Sequence, residues 1–189
     1  MNAARHAGTR QSGNSLSRLA PVDAAPFRQP SSPWFIWFTI IVAWMLSMLP
    51  WRMWAPAPNL LLLVIAFWAL NEPRRIGLFT AFFFGLLLDV HDGMLLGGQA
   101  LSYTLVAYGA VLLSRRLRRF NAIVQAVHLM PVLFLAMAVK QVCYAWLVGG
   151  WAGWGWAISA LLTTALWPVA DMLLLLPQRR RDAVDAGSV

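Results

Sequence analysis

The chain has 189 residues, 60% of them apolar and 12% charged, against roughly 25% charged in an average soluble domain. A chain of this size buries only about 70% of its surface on folding in water, so a soluble globular fold is excluded, as is disorder over most of the length, and a multi-pass membrane protein is expected. The formal charge of +8 sits in short arginine clusters between apolar runs, not along one face, which argues against a nucleic-acid partner.

Residues 1–33 carry Ser, Pro, Gly, Gln and four arginines (Arg5, Arg10, Arg18, Arg28) without apolar periodicity. They are expected to form a disordered basic tail. No apolar core follows early enough for a cleavable signal, so an uncleaved first span has to drive insertion. Six apolar segments then make up a membrane domain over residues 34–177, followed by a short tail, 178–189. The segments are Trp34–Leu49, Asn59–Leu70, Ile76–Val90, Met94–Leu113, Asn121–Val148 and Trp154–Leu176. The last three reach the ~20 residues that a ~30 Å hydrocarbon core requires; the second and third are short. A re-entrant hairpin turning at Asn71–Arg75 would bury Arg74 and Arg75 at about 2.5–3.5 kcal/mol each. Two full crossings are favoured, because flanking residues and local bilayer thinning absorb the mismatch.

Orientation follows from the arginines. With six spans and a cytoplasmic tail, 13 of them (the four in the tail, Arg74, Arg75, Arg115, Arg116, Arg118, Arg119 and Arg179–Arg181) lie inside. Only Arg52 lies outside, and the asymmetry follows the positive-inside rule. Trp34 and Trp37 then flank the inner interface, and Trp51, Trp54, Trp146, Trp151, Trp154 and Trp156 the outer one, the depths that amphipathic rings favour.

The stretch 76–97 carries most of the information. Gly77, Ala81, Gly85 and Asp89 are four residues apart, hence on one helix face. Small residues at that spacing let another helix, in this chain or a partner, approach closely in lipid. Gly93 and Gly97 extend the spacing, and Asp89 is expected to point into the bundle. Asp89, His91 and Asp92 resemble a small metal-ligand set, but a polar turn in which Asp92 caps the fourth helix is the better reading. Lys140 lies in the outer half of its span at the depth of Asp89, so an intramembrane ion pair between them is one expectation and outward snorkelling the other. His128, alone on an apolar helix, is expected to be packed. Cys143 is the lone cysteine and lies within an apolar run, which leaves no disulfide. Nucleophile elbows, zinc-helix motifs and phosphate-binding loops are absent from the sequence.

Leu49-Pro50-Trp51, Pro58-Asn59-Leu60-Leu61-Leu62, Pro73-Arg74-Arg75, the run Gly85-Leu-Leu-Leu-Asp89-Val-His-Asp-Gly93-Met-Leu-Leu-Gly97, Ala100-Leu101, Ala107-Tyr108 and Leu166-Trp167-Pro168 together resemble the MreD family of bacterial rod shape-determining membrane proteins. The resemblance implies a non-enzymatic scaffold in the inner membrane, without a cofactor. It implies work with the bitopic protein MreC and, through it, with MreB filaments, RodA and the transpeptidase partner of RodA. It also implies an all-α fold of six transmembrane helices similar to the substrate-binding subunits of energy-coupling-factor transporters, so a vitamin-type binding subunit is the alternative function. The long basic tail and His91-Asp92 depart from the usual pattern. The topology has a direct check. A reporter active only outside should signal when fused after Pro56, His91 or Gly150 and stay silent after Arg75, Arg119 or Arg181; signal at Arg75 refutes six spans.

Overall fold

The structure is a computed structural model that describes residues 32–50, 56–93, 96–151 and 153–175. Residues 1–31 of the expected basic tail, Trp51, Arg52, Trp54 and the arginines at 179–181 lie outside the described residues, while Pro33, expected to end that tail, is already helical. The described residues form six helices and no strand: α1 (Pro33–Ser47), α2 (Leu60–Asn71), α3 (Leu78–Asp92), α4 (Gly98–Leu117), α5 (Ala122–Val148) and α6 (Gly155–Ala165). After a turn at Leu166, just before Pro168, α6 resumes as helix over 167–175.

Local signals set these boundaries. Pro33 opens α1, where its missing N–H costs nothing. The Asn59 side chain accepts from Leu62 N–H (3.2 Å) and starts α2. Gly93 ends α3 with φ +61°, and Gly97 precedes α4 with φ +102°, left-handed conformations that glycine adopts without penalty. Pro131 lies inside α5 without ending it.

α5 and the full sixth helix, Gly155–Leu175, are long and apolar enough by length and composition to cross a membrane. α2 is not. At 12 residues it spans about 18 Å, well short of a ~30 Å hydrocarbon core. The reason it need not be longer is its position. α2 is apolar all round, and Leu61–Leu63 and Ile65–Leu70 are buried among α1, α4 and α6. Protein, not lipid, surrounds it, which is where a helix without an amphipathic face belongs.

α4 is the hub, packed on α2, α3 and α5. Two glycines allow its closest approaches. A Cβ added to Gly85 would stand 2.5 Å from Ala100 Cα and 2.8 Å from Ala100 N, and one added to Gly109 would stand 2.4 Å from Val132 Cγ1 on α5. The helix that crosses Gly85 is therefore α4 of the same chain. Gly77, by contrast, would put a Cβ into open space. So would Gly93 and Gly97, whose positive φ values explain their identity. Among the described residues no helix of this chain approaches these three, which leaves approach by a partner as the open half of the expectation.

The centre is aromatic as well as aliphatic. Trp68, Trp167, Tyr103 and Phe67 are fully buried. Phe67 meets Trp68 edge-on at 5.2 Å and Trp167 at 6.0 Å. Each indole finds an acceptor: Trp68 Nε1–H donates to Thr39 Oγ1 (2.9 Å) and Trp167 Nε1–H to Gln125 Oε1 (3.3 Å). The exterior is greasy. Trp34 is 85% exposed, Phe79 91% and Trp146 84%, and large apolar side chains stand outward on every helix except α2. That surface suits lipid and not water.

Gly85→Ala should destabilise the bundle by roughly 1–3 kcal/mol, because the new methyl meets backbone that cannot swing away. Gly77→Ala should stay within about 0.5 kcal/mol. Thermal unfolding of the two variants in detergent decides between them, and equal midpoints would contradict the α3–α4 packing.

Candidate functional site at the acid-capped end of the bundle

Asp89 lies one turn before the end of α3, on the buried stripe formed by Ala81, Phe84, Gly85 and Leu88. The chain turns back through Gly93 and Gly97, so the start of α4 faces this stripe. A helix start leaves unpaired amides. Asp89 takes three amides there: Gly97 N–H donates to Oδ2 (3.0 Å), Ala100 N–H to Oδ2 (3.1 Å) and Gln99 N–H to Oδ1 (2.8 Å). The carboxylate is 2% exposed. The cap the sequence assigns to Asp92 is thus supplied by Asp89. Charge-assisted bonds of this kind are about twice as strong as neutral ones, and the helix macrodipole adds to them. Gly85 and Asp89 act together. Four residues apart on one face, the first lets Ala100 backbone come close and the second binds its N–H.

A second polar knot adjoins this cap. Asn59 Oδ1 accepts from the Tyr103 hydroxyl (2.7 Å) as well as from Leu62 N–H, and Asn59 N–H donates to Thr163 Oγ1 (2.9 Å). The Ser159 hydroxyl donates to the Ala57 carbonyl (2.6 Å). The start of α2 is joined here to α4 and α6. Nothing in the sequence pairs positions 59, 103 and 163.

Two cavities open between these elements. One, of about 230 Å³, lies against 56–59 and is also lined by Gln99, Ser102, Lys140, Gln141 and Trp156. The other, about 560 Å³, lies between α3, α4 and α5 and is lined by Asp89, Asp92, Cys143 and Tyr144 among others. Gln99 and Lys140 belong to both. Lys140 Cε and Asp89 Oδ1 each come within 3.9 Å of where a Cβ on Gly98 would stand, so both groups of the expected ion pair flank the same glycine. Cys143 is exposed. His128 is not packed as expected: it is exposed, stacks on Phe120 with rings 5° from parallel, and sets Nδ1 2.8 Å from the Val124 carbonyl. Among the described residues no three His, Cys, Asp or Glu side chains converge as a metal set would.

The fold and this site define an all-helical membrane protein whose polar groups fasten helix to helix. A family model described as rod shape-determining protein MreD matches residues 29–176. The chain belongs to that family, and all six helices fall inside the match. The family is a shape-determining one and is not known for enzymes. No solved structure matches the chain, so the expected likeness to energy-coupling-factor subunits finds no support.

Asp89→Asn should not be a mild change. Both carboxylate oxygens accept from amides, whereas an amide side chain offers one oxygen and turns an NH₂ toward the other donors. Each buried donor left unpaired costs about 1–3 kcal/mol, and Asp89→Leu, which strands all three, should cost more. Unfolding midpoints in detergent should fall in the order wild type, Asn, Leu. An Asn variant as stable as wild type would show that α4 does not depend on the carboxylate.

Proposed function

We propose that the chain is a non-enzymatic integral scaffold of the complex that builds the lateral cell wall, working with MreC and through it with MreB filaments, RodA and its transpeptidase partner. The observation that carries this reading is the family match across the whole helical bundle. The geometry supports it in two ways. Internal polar groups are spent largely on fastening helices together, as Asp89 and Asn59 are. The outward face is broad and apolar, which leaves it available to lipid and to the transmembrane helix of a bitopic partner.

The inner bacterial membrane is the proposed location, with both termini cytoplasmic. Arg118 Nε–H donates to the Leu70 carbonyl (3.0 Å), so the C-terminal ends of α2 and α4 share one end of the bundle. Arg74 and Arg75 follow α2, and Arg115–Arg119 close α4. Gathering two arginine clusters at one end supports a cytoplasmic assignment for that end.

The test is affinity capture of the tagged full chain from membranes of the rod-shaped bacterium that encodes it, together with its depletion. MreC should co-purify after mild solubilisation, and depleted cells should round up. Capture without MreC from cells that stay rod-shaped on depletion would refute the proposal.

A further inference from the structure

α4 leaves one face to lipid, and that face ends in exposed charge. Ala100 lies against Gly85 on α3, and Gly109 lies against Val132 on α5. Nine residues apart, the two positions stand on opposite flanks of the helix. Tyr103, Val106, Ala107, Ala110, Ser114 and Leu117 are buried on the inner side, where α2 packs. On the remaining side Leu101, Tyr108 and Leu112 are exposed, at spacings that keep them on one face. Arg115 and Arg119 continue that spacing, Arg116 flanks it, and all three are exposed. α4 is 20 residues long, about 30 Å, which is the thickness of the hydrocarbon core. The arginines therefore stand at headgroup depth, at the end of a lipid-facing stripe.

Other groups already close this end of α4. Gln125 Nε2–H donates to the Leu117 and Phe120 carbonyls, and Arg118 N–H to the Ser114 carbonyl. Among the described residues Arg115, Arg116 and Arg119 have no side-chain hydrogen bond or ion pair. Of the four acids among those residues, Asp89 and Asp92 lie at the far end of the bundle, Glu72 in the α2–α3 turn and Asp171 on the sixth helix. Guanidinium forks match phosphate oxygens. Side chains four residues apart on a helix start about 5–6 Å from each other, so Arg115 and Arg119 can hold one phosphate together. From there, the ~15 Å of hydrocarbon in one leaflet corresponds to about ten residues of helix, which carries an acyl chain past Leu112 and Tyr108. A soluble anion or an acidic peptide would use the charge and leave the stripe to other molecules. An anionic phospholipid uses both.

We propose that the arginine end of α4 binds one anionic phospholipid, its phosphate on Arg115 and Arg119 and an acyl chain along Leu112 and Tyr108. The proposal goes beyond the scaffold function and does not depend on MreC.

The experiment uses the full chain in detergent micelles containing phosphatidylcholine. It follows energy transfer from the tryptophans to phosphatidylglycerol that carries pyrene on an acyl chain. The signal should saturate, and unlabelled phosphatidylglycerol should displace the probe about tenfold better than phosphatidylcholine with the same chains. Glycerophosphoglycerol, the same headgroup without chains, should displace little, and so should a polyglutamate peptide. Arg115→Gln combined with Arg119→Gln should raise half-saturation by about tenfold. Arg74→Gln combined with Arg75→Gln removes the same charge at the same end and should leave half-saturation within about twofold. Equal displacement by the two phospholipids would overturn the site, as would displacement by the free headgroup as effective as by the lipid. Polyglutamate as effective as phosphatidylglycerol would overturn it in favour of an acidic protein. Equal losses in the two double variants, or no loss in the Arg115 and Arg119 pair, would show diffuse charge and no site. The displacement measurements need wild-type protein alone, so they decide even where a variant fails to insert.

Discussion

A buried carboxylate and a buried helix start are each costly, and in this bundle each removes the cost of the other. Away from water, the first amides of α4 have no solvent to turn to, and Asp89 at 2% exposure would be a stranded charge. Joined by three bonds of 2.8–3.1 Å, both are satisfied. Because α4 touches α2, α3 and α5, fixing where it begins fixes the register of most of the bundle. The arrangement has a steric condition. Any side chain at position 85 would hold Ala100 away from the acid, so the Gly-x-x-x-Asp spacing joins a close approach to the bond that exploits it.

Interhelical hydrogen bonds concentrate toward the two ends of the bundle. At one end are the Asp89 cap and the Asn59 knot. At the other, Arg118 holds the Leu70 carbonyl, and Gln125 Nε2–H donates to the Leu117 and Phe120 carbonyls that close the α4–α5 turn. Ile36, Ile40, Ile65 and Leu133 fill the space between. Apolar packing has little directional preference, and in lipid it gains no hydrophobic drive. Directional bonds at the ends therefore choose which faces meet, while the apolar middle supplies contact.

The six segments were legible because apolar runs bounded by Pro, Gly and Arg need no tertiary information. Their ends shifted by a few residues, most at α4, which runs Gly98–Leu117, since an apolar residue in a turn, as Leu96 is, looks the same as one in a helix. The Gly85–Asp89 face was legible from its four-residue spacing; its partner was not, because spacing says that something approaches and not what. Gly93 and Gly97 continue the same ladder, yet small size and freedom at positive φ are indistinguishable in one sequence. Gly109 went unnoticed for the opposite reason, standing against Val132 without a ladder to announce it. The knot of Asn59, Tyr103 and Thr163 spans more than 100 positions and exists only in three dimensions.

The burial of α2 bears on how the protein is made. A helix of 12 residues emerges from the ribosome second, yet most of its lasting neighbours, on α4 and α6, come later in the chain. Until they arrive, lipid must cover a surface that the finished protein hides, and a segment of about 18 Å matches the bilayer poorly. Its resting place is therefore made by the helices synthesised after it. Biogenesis has to hold the early part of the chain near the insertion site until the later helices close around it.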